Sequence, residues 1–255
     1  MAFSAMRRRL DAGETVYSAW MAMPGEGAAG ALGAAAWDAV MIDMQHGQIG
    51  YSAMAAMVRA IAGAGNTAIV RVPVRDGGMI GRALDAGASG IICPMVNSVE
   101  DARWLAQAAK YPPLGSRSFA PNPVVKVMGE ETNAYLTGAN RETLTWAMIE
   151  SQAALDALDD IIAVDGIDGV FVGPRDLIVS LSGGAHDNTS DSQALEAAAS
   201  VATRASAAGA YAGIYAATPE LARKYREFGF SFIALGNDTG YLIAGSRAMI
   251  DQATG

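Results

Sequence analysis

Two acidic residues each close an apolar run. Glu150 ends TLTWAMIE (143–150), and Asp176 follows GVFVGPRD (169–176). Both runs read as β-strands that finish on an acid instead of a turn residue. In a chain alternating strands and helices, an acid at a strand's carboxyl end points into a site. Two such acids one β-α unit apart would offer hard oxygen ligands to Mg²⁺, Mn²⁺ or a similar divalent cation. The plainer alternative is a helix-capping Asp176 and a partly solvated Glu150.

Other strand ends extend the polar set. The first run supplies Trp20, the second Asp43, Gln45 and His46, the third Arg71 and the seventh Tyr215. His46 is one of only two histidines, and an imidazole titrates near working pH, so it suits proton transfer. Its alternative is a surface-loop histidine, which is how His186 in GGAHDNTS is read. Arg71 lies inside the apolar run IVRVP, and a buried arginine needs an anion. That anion is either Asp43 in a structural ion pair or a substrate carboxylate or enolate oxygen; both can hold together.

The elements that must position these residues are eight strand-like runs. They fall near 15–23, 38–45, 67–73, 90–96, 143–150, 169–174, 211–216 and 232–238. Helical stretches lie near 27–37, 51–64, 76–86, 98–110, 151–164, 190–208, 218–228 and 238–253. The runs are apolar on both faces, as in a parallel sheet covered by helices. Eight such units in 255 residues predict a single-domain α/β fold, a (β/α)8 TIM barrel, with a doubly wound sheet as the alternative. No linker divides the chain. Segment 111–142 is long for a connection and is expected to serve function or an oligomer contact.

Bulk properties exclude several classes. Hydrophobic content of 51% and charged content of 17% indicate a globular chain. A net charge of −8 argues against nucleic acid or an anionic membrane as partner. The one cysteine, Cys93, rules out a disulfide framework and fits a reducing, cytoplasmic setting. Neither a leader peptide nor an apolar stretch long enough to span a bilayer is expected. There is no GxGxxG after the first strand and no GxxxxGK[ST], so nucleotide cofactors are not suggested. Lys110, Lys126 and Lys224 are the only lysines and none falls at a strand end, which makes a Schiff base unexpected. ALGND (234–238) reads either as a phosphate site at a helix start or as a plain turn.

Taken together, MIDMQHG (41–47), VRVP (70–73), ALDAGASGIICPMVNSVEDA (83–102), YPPLGSRSF (111–119), MIES (148–151) and GIDGVFVGPRDL (166–177) resemble the HpcH/HpaI aldolase family. The match runs from about residue 15 to the C-terminus. The resemblance implies a metal-dependent class II aldolase on a (β/α)8 barrel. Mg²⁺, Mn²⁺ or Co²⁺ would bind Glu150 and Asp176. Arg71 would stabilise the enolate and His46 would be the catalytic histidine. Asp85 would raise that histidine's basicity. The resemblance also implies that the stretch Gly173, Pro174, Arg175 and Asp176 holds a keto acid's carboxylate. With Trp20, Met148 and Tyr215 this stretch forms the expected substrate pocket, and Asp43 is grouped with the catalytic residues. Met148 stands where many relatives carry glutamine, and Arg175 where a small or neutral residue is common.

The implied substrates are a 2-keto acid, pyruvate or hydroxypyruvate, and an aldehyde. A homo-oligomer is implied, a hexamer or trimer of dimers, with the last helix packed on a neighbour. A citrate-lyase-β-like acyl-CoA lyase and a non-catalytic barrel are the alternatives. The first needs a basic CoA-binding surface that the sequence does not reveal. The second has no need of the acid, histidine and arginine set.

Overall fold

The computed structural model describes residues 5–129 and 131–255. Eight parallel strands close into a barrel in sequence order. They are β1 Val16–Met21, β2 Ala39–Asp43, β3 Ala68–Arg71, β4 Gly90–Cys93, β5 Leu144–Ile149, β6 Gly169–Val172, β7 Tyr211–Ala216 and β8 Phe232–Leu235. The seam between β1 and β8 is parallel as well, with Val16 opposite Phe232. The (β/α)8 expectation therefore holds, and the doubly wound sheet does not.

Strand alternation divides the core into two. Every second residue points inward and fills the barrel, among them Trp20, Met41, Ile69, Ile92, Trp146, Met148, Phe171 and Phe232. The intervening residues, such as Val40, Val70, Ile91, Ala147 and Val170, pack outward against the helices. Trp146 occupies the centre at the expense of neighbouring side chains. A Cβ at Gly169 would lie 2.7 Å from its ring, and one at Gly213 would lie 2.7 Å from the Phe171 ring. The same parity carries the polar strand ends inward. Asp43 follows Met41, Arg71 follows Ile69, and Glu150 follows Met148.

The barrel's lower mouth is closed by a helix absent from the sequence reading, Ala5–Asp11. Its Met6 and Leu10 join the interior cluster. Arg7 pairs with Asp168, and Asp168 also accepts from Lys110 Nζ at 2.7 Å. Lys110 is 1% exposed and spends its other donors on the carbonyls of Asn140 and Thr143. It is thus a structural cation at the bottom of the barrel, away from the strand ends.

Segment 111–142 is not a bare loop. It contains helices Asn122–Met128 and Thr132–Glu142, and the first packs on the outside against helices Tyr51–Gly63 and Gly77–Ala86. The single helix expected over 151–164 is broken into Gln152–Asp156 and Leu158–Ile162. An extra helix, Pro174–Leu181, starts directly after β6. Among the described residues no helix is long and apolar enough to cross a membrane.

Candidate active site

At the carboxyl ends of the strands a cleft of about 300 Å³ opens above Trp20, Met148 and Phe171. Asp43, His46, Arg71, Glu150, Gly173, Pro174, Arg175, Asp176 and Tyr215 also line it, with Ala22 and Asn237. Eleven of the twelve residues expected to form the site thus meet in one place; Asp85 is the exception. It sits in the last turn of helix Gly77–Ala86, which runs back from the top of β3 toward the lower mouth. There it pairs at 2.6 Å with Arg117, whose side chain is 1% exposed. Within this chain Asp85 neither lines the cleft nor approaches His46. No described residue of the 111–142 segment lines the cleft either.

Arg71 is fixed from three sides. Its Nε and one terminal nitrogen donate to Asp43 Oδ1 and Oδ2 at 2.9 and 2.7 Å. Its guanidinium lies over the Trp20 ring, 4.7 Å from the centroid. Burial alone would push Asp43 up, but Arg71 and the backbone N–H groups of His46 and Gln45 overcome it and hold the carboxyl below its usual range. Asp43 Oδ1 accepts from Gln45 N at 3.0 Å and His46 N at 3.3 Å. One carboxylate therefore orients the arginine and shapes the loop that presents His46. The ion pair with Asp43 expected from the sequence is present, and Arg71 also lines the cleft.

Gly47 lets that loop turn tightly. A Cβ there would fall 2.2 Å from the Asp43 carbonyl oxygen and 2.9 Å from that of Ala22. The loop after β1 is held in turn by Asp238, whose Oδ2 accepts from Ala22 N and Met23 N at 2.9 and 2.8 Å. Ala22 O then accepts from Gln48 N at 2.8 Å. A chain of hydrogen bonds thus links the end of β8 to the histidine loop. In ALGND, Asn237 caps the last helix and Asp238 ties it to the loop after β1, as the turn reading expects.

Glu150 is 2% exposed, whereas Asp176 stands at the exposed rim in the first turn of helix Pro174–Leu181. Met95, in the left-handed region at φ 56, donates its N–H to Glu150 Oε2 at 2.9 Å. Gly173 passes so close that a Cβ would lie 2.5 Å from Glu150 Oε1. Burial pushes the Glu150 carboxyl up to about 7. The Met95 N–H and Arg71 oppose this, and the charge of Asp176 adds to it. A buried acid facing a second acid is an arrangement that a divalent cation relieves. The donor set fits such an ion, with two oxygen ligands and room for water and substrate. Among the described residues no group of three or more His, Cys, Asp or Glu side chains gathers anywhere, so at this site the two carboxylates would be the protein's share of the ligands.

Sequence reasoning missed Met95, Phe171, Ala22, Asn237 and Asp238. Strand parity with Gly173 would have found Phe171. Met95 and Asp238 act through backbone contacts between distant elements and leave no local signal.

Comparison with known proteins agrees with this geometry. The model of the HpcH/HpaI aldolase/citrate lyase family matches residues 19–245. A hydroxypyruvate/pyruvate aldolase of Rhizorhabdus wittichii is 40% identical over 241 residues, 94% of this chain and 95% of that protein. A 5-keto-4-deoxy-D-glucarate aldolase of Escherichia coli is 32% identical over 232 residues, 91% of this chain and 90% of the relative. The crystal structure of a family member from Burkholderia cenocepacia superposes with a TM-score of 0.89 at 31% identity, covering 99% of this chain and 100% of that one. The chain belongs to the HpcH/HpaI aldolase/citrate lyase family, as an aldolase.

Proposed function

We propose that the protein makes or cleaves 4-hydroxy-2-keto acids in a divalent-metal-dependent reaction, with pyruvate or hydroxypyruvate as the enolate donor. The observation that carries this is the convergence of Glu150, Asp176, Arg71 and His46 on one cleft. The name of the Rhizorhabdus relative supports the choice of donors.

Glu150 and Asp176 would hold Mg²⁺, Mn²⁺ or Co²⁺, which supplies Lewis acidity toward a keto oxygen. The chain's own residues do the rest. The backbone from Gly173 to Asp176 opens a helix, where N–H groups suit the keto acid's carboxylate. Arg71, neutralised and oriented by Asp43, directs its free donor edge to the oxygen that gains charge as C3 is deprotonated. His46, on the loop braced by Asp43, moves the proton at C3 or at the new hydroxyl. Trp20, Phe171 and Tyr215 form an aromatic floor that keeps water from the reacting carbon, with Trp20 and Tyr215 edge to face at 5.1 Å.

The acyl-CoA lyase reading gains no support from the cleft, whose cations are Arg71, already paired, and Arg175. We also infer a homo-oligomer in which the last helix, Asp238–Thr254, packs on a neighbour. Leu242, Ile243, Met249 and Ile250 on it are each more than 60% exposed, and such apolar exposure marks an interface. Light scattering of the intact protein tests this; a monomer at micromolar concentration refutes it.

The activity is tested with pyruvate or hydroxypyruvate and a panel of aldehydes, before and after chelation. Loss of nearly all turnover in EDTA and recovery with Mg²⁺, Mn²⁺ or Co²⁺ is expected. Full turnover in excess chelator, or a covalent adduct trapped by borohydride, sinks the reading.

A further inference from the structure

Arg175 is a charge in an awkward place. It occupies the first turn of helix Pro174–Leu181, where the helix dipole disfavours a cation. Local stability therefore does not explain it. Its side chain is 76% exposed, yet it lines the cleft. Its one ion pair among the described residues is with Asp187 Oδ2, at 3.2 Å, and Asp187 is itself 63% exposed.

Asp187 belongs to a loop (182–191) that returns from the end of that helix to the rim. Ser182 Oγ donates to His186 O and accepts from His186 N, and Asn188 N donates to His186 Nδ1. The loop's own hydrogen bonds thus present Asp187 toward the cleft mouth. The cleft is otherwise acidic, with Asp43, Glu150 and Asp176 on its walls. Arg71 is committed to Asp43 at two points. Arg175 is the cation whose partner is solvent-exposed and replaceable. Its field already reaches the cleft interior: burial raises the Tyr215 hydroxyl, and Arg175 is the first charge opposing that rise.

We propose that Arg175 selects the acceptor, favouring aldehydes with a terminal anionic group, carboxylate or phosphate, and that Asp187 is its built-in competitor. The inference rests on the aldolase reading above. An exposed pair such as Arg175–Asp187 contributes little to stability and is readily exchanged. A substrate anion entering the cleft exchanges one carboxylate partner for another. A neutral aldehyde leaves the pair closed and gains nothing from Arg175.

Two matched acceptor pairs test this with pyruvate as donor: 4-oxobutanoate against butanal, and glyceraldehyde 3-phosphate against glyceraldehyde. The readout is the ratio of kcat/KM for the anionic over the neutral member. The wild-type ratio should exceed one in at least one pair, and which pair identifies carboxylate or phosphate as the preferred group. Arg175→Ala should lower that ratio about tenfold, the scale of a charge-assisted contact. Asp187→Asn should move it the other way, raising it about two- to fivefold by freeing the guanidinium. A ratio near one in both pairs overturns the proposal. So does an Arg175→Ala variant that slows both members equally, or an Asp187→Asn variant with an unchanged or lower ratio. Exchange of the pyruvate C3 protons in D₂O, which needs no acceptor, reports separately on the wild-type aldolase reading. Exchange without anion preference removes this inference alone; absence of exchange removes both.

Discussion

Asp43 and Arg71 stand directly opposite each other in the β2–β3 register, and their side chains close at two points, 2.9 and 2.7 Å. Strand pairing therefore fixes the arginine before any substrate arrives. A preorganised donor needs no reorientation as charge develops, which is where such groups contribute most.

Arg71→Ala should accordingly lower kcat by about 10²-fold or more, the scale of losing one oxyanion donor. Arg71→Lys should recover little, because an ammonium cannot span both Asp43 oxygens and still face the cleft. Steady-state kinetics normalised to folded protein, with metal affinity measured alongside, make the check. An Arg71→Ala variant that merely unfolds, with full activity per folded molecule, would show the ion pair to be structural only.

His46 differs in being exposed on its loop and held through its backbone. His46→Ala should slow both aldol cleavage and C3 proton exchange while metal affinity stays near wild type. Metal lost together with His46 would make it a ligand and the two-carboxylate site incomplete. An unchanged rate would return it to an ordinary loop histidine.

Much of this was readable in the chain because barrel strands carry their chemistry at one end. Eight apolar runs gave the barrel, and Asp43, Arg71 and Glu150 announced themselves as charges inside or closing such runs. Asp85 was different. Its motif match named it, but its place in the last turn of a helix already pointed to the lower mouth, where the structure pairs it with Arg117. The helix Pro174–Leu181 was hidden because it is short and begins on the proline that ends a strand motif. Asp238 was hidden for another reason: its partners, Ala22 N and Met23 N, become neighbours only when β8 closes on β1.

Gly173 offers a test of the carboxylate geometry that leaves every polar group in place. Its φ of −93 suits alanine, so any effect comes from the Cβ, which would lie 2.5 Å from Glu150 Oε1. Glu150 must shift off the position set by Met95 N. Gly173→Ala should weaken divalent-metal affinity about 10- to 100-fold, the range seen when groups that orient ligands are disturbed. Gly27→Ala, where nothing lies within 4 Å of the added carbon, is the control. Calorimetric titration with Mn²⁺ compares the two; equal affinities would mean that Glu150 does not hold the ion.

The Glu150 carboxyl, pushed up to about 7 by burial, gives the metal site a pH signature. An unfolded glutamate titrates at about 4.3. Between that value and about 7 the folded, metal-free protein keeps a proton that the unfolded chain has lost. The stabilisation from this group is fully present below about pH 4.3 and is lost as pH rises through the folded value. The metal-free Tm should therefore fall across that window more steeply in wild type than in Glu150→Gln. A divalent cation requires the ionised carboxylate, so binding should release protons below about pH 7, and affinity should climb as pH rises to that point. Thermal melts from pH 5 to 8, with and without Mn²⁺, read both effects. Identical pH slopes for wild type and Glu150→Gln, together with a pH-independent Mn²⁺ affinity, would place the ion somewhere other than Glu150.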